Sequence, residues 1–291
     1  MLEELTQLAA AELARLIRAK EVSPVEVADA YLGRIERLNP ALNAIVTIAP
    51  DLLIQARQAE ASLMGGAGVG PLHGVPITIK DTIETAGLLT TSGSPARAGF
   101  FPERDAPAVA RLRAAGAIIL GKTNTAEMAM DYAADNPVFG ATNNPYDPAR
   151  TPGGSSGGEA AAIAACMSPA GLGSDLAGSI RIPSHFCGIA GLKPATGRVP
   201  GDGQFPPAIG PYSLGAVIGP MARCIEDLQL LIAVLGNPQI QPAVSITNNR
   251  PSTETSLRGW RVGWYTDDGV APVTEETRRA VEAAARALHD A

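Results

Sequence analysis

Leu5, Leu8, Ala9, Leu13, Leu16 and Ile17 recur at three- and four-residue intervals, which places them on one face of a helix. Ser23-Pro24-Val25-Glu26 has the form of a capping box with proline at the first helical position. It predicts a second helix running to about Leu38. A third is predicted over Leu52 to Leu63, before the irregular glycine stretch Gly65 to Gly70. No strand precedes those glycines, so they read as a loop and not as a dinucleotide fingerprint.

From Pro76 onward the pattern changes. Short apolar runs (Val75–Lys80, Ala117–Leu120, Leu172–Ser174, Val217-Ile218) alternate with helical stretches at Ala106–Ala115, Glu159–Met167, from Ser179 onward, and Ile225–Leu235. Strand alternating with helix is the signature of an α/β fold. The polar stretch 237–258 reads as a linker-like excursion. A strand at Arg261–Tyr265 and a helix at Thr274–His289 then begin a further β-α part, residues 259–291.

Composition narrows the function classes. Aromatic residues make up only 4% of the chain, so the core must be built from Ala, Val, Ile and Leu. The net charge of −6, with no run of Lys and Arg, argues against nucleic acid as a partner. Cys166, Cys187 and Cys224 are too far apart in sequence to suggest a zinc site or a disulfide framework, which fits a reducing, cytoplasmic setting. The charged N-terminus is unlike a secretory signal, and no apolar run is long enough for a membrane span.

The chemistry concentrates in two glycine-serine turns, each entering a helix: Gly153-Gly154-Ser155-Ser156-Gly157-Gly158 and Ala177-Gly178-Ser179. A serine beside the free N–H groups of a helix start can act as a nucleophile whose oxyanion is held by backbone. A phosphate cradle would need a lysine directly after the glycines, and neither turn has one. The serine needs a base. His73 and His185 leave a histidine-based arrangement open, although no G-x-S-x-G elbow supports it. Lys80 is the other candidate. It ends an apolar strand, and burial there would leave its neutral amine populated.

In order and spacing, the blocks GVPITIKD, GKTN, PGGSSGGEAA and DLAGSIRIPSHFCGIAGLKP resemble the amidase-signature family, most closely between Pro71 and Gly236. The resemblance implies one domain over residues 1–291, with N-terminal helices (1–66) and a signature core (71–236). It implies a mixed central β-sheet covered by helices on both faces. It also implies a Ser-cisSer-Lys triad: Lys80 as base, Ser155 as bridging serine after a cis peptide bond, and Ser179, 24 positions further along, as nucleophile. Leu176, Ala177, Gly178 and Ser179 would surround the oxyanion with backbone N–H groups, while Ser156, Asp175 and Arg181 brace the site. The reaction implied is hydrolysis of a small-molecule amide, or of an ester or carbamate, through an acyl-enzyme. It needs no metal or cofactor.

Two departures from the family pattern stand out. Ala177 occupies a position that is usually glycine; if the backbone there had positive φ, alanine would cost about 1 kcal/mol. Family chains also continue considerably further, so the C-terminal part of the fold is expected to be missing. That leaves a fragment, or a chain completed by a companion polypeptide or a homo-oligomeric partner. The alternative functions are the A subunit of an aminoacyl-tRNA amidotransferase, working as a glutaminase, and an inactive truncated member. Against glutamine as substrate, apolar Ile182 follows Arg181 where that subfamily typically has a polar residue.

Overall fold

The computed structural model describes residues 2–66, 68–236, 259 and 261–290. The chain divides into two compact units, Met1–Pro242 and Ala243–Ala291. The first opens with α1 (Leu2–Leu5), α2 (Ala10–Arg18) and α3 (Pro24–Leu42). The capping box forms as the sequence predicts: the Val25 N–H donates to Ser23 Oγ at 3.0 Å and the Ser23 N–H donates to Glu26 Oε2 at 2.8 Å. α3 runs past Leu38, carries Pro40 in its last turn, and ends where Asn43 turns left-handed at φ 51°. The Asn39 side chain takes up the N–H groups of Ala44 and Ile45, each at 2.9 Å, and so redirects the chain into a strand that the sequence pattern does not predict, β1 (Ile45–Ile48).

α4 (Leu52–Met64) leads to β2 (Pro76–Lys80), α5 (Pro107–Ala114), β3 (Ile118–Thr123), α6 (Gly157–Ala164), β4 (Ala170–Asp175), α7 (Arg181–Cys187), β5 (Ala190–Gly191), β6 (Val217–Ala222) and α8 (Ile225–Leu235). The strands form one mixed sheet in the order β1-β3-β2-β4-β6-β5. β2 is parallel to β3 and to β4, and the outer pairings are antiparallel.

Two crossovers run in opposite directions over this sheet, β2–α5–β3 one way and β3–α6–β4 the other. Right-handed crossovers of opposite direction put their helices on opposite faces. The side chains of β2 agree. Thr78 meets Glu159 of α6, whereas Ile77 and Ile79 point into the large core shared with α2, α3, α4, α5 and α8. A smaller cluster of Ala160, Ile163, Ile180, Cys187 and Met221 joins α6 and α7 to the sheet. The mixed sheet with helices on both faces is therefore present.

In the second unit, α9 (Glu275–Asp290) forms as expected. The strand expected at Arg261–Tyr265 does not form: these residues are irregular, and those described are exposed. An apolar run becomes a strand only with a ladder partner, and none lies among the described residues of that unit. The excursion expected at 237–258 lies outside the described residues. No described helix is long and apolar enough to cross a membrane.

Candidate active site

The site lies at the C-terminal ends of the parallel strands, where ligands of α/β sheets are held. β2 and β4 are direct neighbours, with Thr78 opposite Gly171 and Ile79 opposite Leu172. Their ends bring Lys80 beside Ser174. Lys80 is fully buried, and its Nζ donates to Ser155 Oγ at 2.6 Å and to Ser174 Oγ at 2.9 Å. Burial lowers its pKa to about 7, although Asp175 and Glu159 pull the other way. A substantial share of the neutral amine is therefore present at neutral pH.

Ser155 lies in the turn before α6, and its peptide bond with Gly154 is cis. Ser179 follows β4 through a short loop. The Ser156 N–H donates to the Ser179 carbonyl at 3.1 Å, and Ser156 Oγ donates to the Ser174 carbonyl at 3.2 Å, so the two glycine-serine turns are fastened together. Ser155, Ser174, Asp175, Leu176 and Ser179 all line one pocket that holds about 450 Å³ of empty space. Among the described residues no hydrogen bond joins the Ser155 and Ser179 hydroxyls.

Asp175 organises the loop after β4. Its Oδ1 accepts from the Gly178 N–H at 2.8 Å, and its Oδ2 accepts from the N–H groups of Ile180 (3.0 Å) and Arg181 (3.3 Å). The Arg181 guanidinium closes on both oxygens at 2.9 and 3.0 Å. Burial disfavours the Asp175 carboxylate, but Arg181 and the backbone donors outweigh it and hold its pKa below the usual value. The Gly178 N–H is thereby engaged. Those of Leu176, Ala177 and Ser179 have no hydrogen-bond partner among the described residues.

The alanine in this loop is unstrained. Ala177 is not among the residues of positive φ, whereas Gly178 sits at φ 126°. A Cβ on Gly178 would also lie 2.7 Å from Ile182 Cδ1. Gly178→Ala is expected to lower unfolding free energy by about 1–3 kcal/mol in urea titration, whereas Ala177→Gly is expected to change it little.

Of the methionine and aromatic residues between Phe100 and Phe205, some line the pocket and others pack elsewhere. Met128 and Met130 line the pocket. Phe100 and Phe205 instead sandwich the Arg97 guanidinium at 3.9 and 4.1 Å, and Phe101 is exposed. Tyr132 donates to the Ala177 carbonyl at 3.0 Å and so steadies the loop from outside. Ile182 packs over Gly153 and Gly178 and is not a lining residue. His73 is spent on the Ala59 carbonyl at 2.8 Å, and neither His73 nor His185 lines the pocket, which removes the histidine-based arrangement. Ala129, Ser174, Gln204, Pro206, Pro207, Ala208, Tyr212 and Ala216, which the sequence pattern does not single out, complete the lining. Of these only Ser174 carried a signal, as the end of a strand. Among the described residues no group of three or more His, Cys, Asp or Glu is placed to hold a metal ion.

Comparison with known proteins places the chain in a family. The family model described as Amidase matches residues 26–291. The chain is 45% identical over 251 residues to the A subunit of glutamyl-tRNA(Gln) amidotransferase from Thermus thermophilus, covering 85% of this chain and 51% of that protein. Among solved structures it resembles the peptide amidase of Stenotrophomonas maltophilia, with a TM-score of 0.74, 36% identity, and coverage of 79% of this chain and 48% of that one. It likewise resembles 6-aminohexanoate cyclic dimer hydrolase in complex with its substrate, with a TM-score of 0.72, 35% identity, and coverage of 82% and 48%. The chain spans about half the length of the relatives it matches.

Proposed function

The chain belongs to the amidase family, and from that premise we propose that it hydrolyses a small-molecule amide through an acyl-enzyme on Ser179. Amide C–N hydrolysis is the chemistry common to the family and to the structural neighbours. The observation that carries the assignment here is the buried Lys80 amine 2.6 Å from the Oγ of Ser155, a serine that lines one pocket together with Ser179.

In this reading neutral Lys80 takes a proton from Ser155 as Ser155 takes one from Ser179, whose oxygen attacks the amide carbonyl. The N–H groups of Leu176, Ala177 and Ser179 receive the developing oxyanion. Gly178 serves the turn geometry, because its N–H is committed to Asp175. The proton returns through Ser155 to the departing nitrogen, giving an amine or ammonia. Water then repeats the cycle on the acyl-enzyme and releases the carboxylate. Ser156, Asp175 and Arg181 hold the two turns in register.

The proton relay sets a pH dependence. Protonated Lys80 cannot accept the Ser155 proton, so the acylation rate is expected to rise with pH through about 7 and then level. Well below that value it should fall about tenfold per pH unit. A stopped-assay pH profile with a chromogenic amide or ester checks this; a rate independent of pH between 5 and 8 would remove Lys80 as base.

A second reading has one specific observation in its favour, the 45% identity to a protein named as the A subunit of an amidotransferase. In that role the chain would release ammonia from glutamine inside a complex. Apolar Ile182 after Arg181 weighs against it, and the small-amide reading is preferred. Ammonia release from a panel of simple amides and glutamine distinguishes the readings: turnover of simple amides above glutamine is expected, and the reverse order would establish the glutaminase.

A further inference from the structure

Glu159 is fully buried in α6 and has no role in the relay just described. Three strands build a slot for its carboxyl. On β2, Thr78 Oγ1 donates to Glu159 Oε1, and Thr78 Oγ1 is also within 2.9 Å of Ser168 Oγ. On β3, Thr123 Oγ1 donates to Oε2 at 2.7 Å. On β4, Gly171 leaves the space open, since a Cβ there would fall 1.9 Å from Oε1. Thr78 stands two residues before Lys80, on the same face of β2.

The charges facing this slot are Lys80 from β2 and Lys122 from β3. Lys122 has other partners. Its Nζ donates to the Ile83 carbonyl and to Thr85 Oγ1, and buried Asp81 is the foremost of the carboxylates acting on it, ahead of Glu159, Asp105 and Glu84. Asp81 in turn accepts from the Thr91 N–H and hydroxyl. From β4, Asp175 acts on Lys80 more strongly than Glu159 does, but the Arg181 guanidinium closes on both of its oxygens. Among the described residues, Lys80 Nζ hydrogen-bonds only to the hydroxyls of Ser155 and Ser174. Of the two carboxyls acting on Lys80, Glu159 is the one held only by neutral hydroxyls.

We propose that Glu159 is a positioning residue for the catalytic lysine, a buried counter-charge that acts on Lys80 along one face of the sheet and helps set the pH at which that lysine becomes the free amine. The inference rests on the Lys80–Ser155–Ser179 reading above. Burial drives the two groups toward each other: it lowers Lys80 to about 7 and raises Glu159 to about 7, the latter against the hydrogen bonds from Thr78 and Thr123 and the nearby lysines. Two groups so placed titrate as a pair.

The sign follows. Negative Glu159 favours protonated Lys80, so removing that charge makes the free amine available at lower pH. The test is the rate of fluorophosphonate labelling of Ser179 as a function of pH in the wild type, in Glu159→Gln and in Thr78→Val. Glutamine has the same shape and keeps an oxygen for the threonine hydroxyls, so a carboxyl that only clamps α6 to the sheet would leave the profile where it is. The expected result is that the acid limb of Glu159→Gln moves down by about half to one pH unit. Thr78→Val, which removes a hydrogen bond favouring the carboxylate, should move it the same way by less. An unmoved limb in folded Glu159→Gln overturns the proposal. If that variant does not fold, an unmoved limb in Thr78→Val does so. Absence of any wild-type label on Ser179 overturns the triad itself, and is thereby distinguished from a failure of Glu159 alone.

Discussion

Ser179→Ala is expected to reduce amide turnover by at least about 10⁴-fold, with the fold and the melting temperature nearly unchanged. The loss is large because no neighbouring group can substitute. Ser155 and Ser174, the other serines lining the pocket, are committed to Lys80 at 2.6 and 2.9 Å. Ser155 also sits on the opposite turn from the N–H groups of Leu176 and Ala177. The stability effect is small because the Ser179 side chain makes no hydrogen bond among the described residues, while its carbonyl, which does bind the Ser156 N–H, survives the substitution. Activity measured beside thermal unfolding separates the two effects; a variant that keeps more than a few per cent of wild-type turnover would mean that another residue is the nucleophile.

Lys80→Met is expected to divide activity and stability in opposite directions. Turnover should fall by about 10³-fold or more, since the relay loses its only buried amine beside Ser155. Stability should hold or rise, because a methionine of similar length replaces an ionisable group whose charge is poorly tolerated there. The pH dependence gives the sharper readout. Lys80 has an ordinary value of 10.5 and a folded value of about 7. Between those values the unfolded chain binds more protons at this position than the folded one, so wild-type stability rises with pH across that window. Lys122, lowered to about 8 by its own burial, contributes a similar rise. Lys80→Met should remove its share and flatten the slope of unfolding free energy between pH 7 and pH 10. A variant that is both inactive and less stable throughout would identify Lys80 as a structural group.

Much of this was legible in the sequence for physical reasons. A lysine that ends an apolar strand stands where alternation and burial conflict, and two glycine-serine turns entering helices announce exposed N–H groups. The family resemblance supplied the link between them. What stayed hidden depended on contacts between residues far apart in the chain. Ser174 joins Lys80 only because β2 and β4 are neighbours, and Gln204, Pro206, Pro207 and Tyr212 reach the pocket from a connection between β5 and β6 that has no periodic pattern. β1 was obscured because no periodic pattern marks it, whereas in the fold the Asn39 side chain takes up the Ala44 and Ile45 N–H groups where the strand begins. The strand expected at Arg261–Tyr265 failed in the opposite sense: its apolar run was present, but no pairing partner lies among the described residues of its unit. Ala177 shows how the backbone settles what residue type alone leaves open, since the strained position proved to be Gly178.

The central claim is that Ser179 is the nucleophile and that Lys80 activates it through Ser155. Treatment of the purified chain with a fluorophosphonate, followed by digestion and mass mapping, tests it most directly. The expected result is a single covalent adduct on the peptide containing Ser179, formed slowly in Lys80→Met and absent in Ser179→Ala. An adduct on Ser155, or no adduct on a chain that turns over amides, would contradict the account.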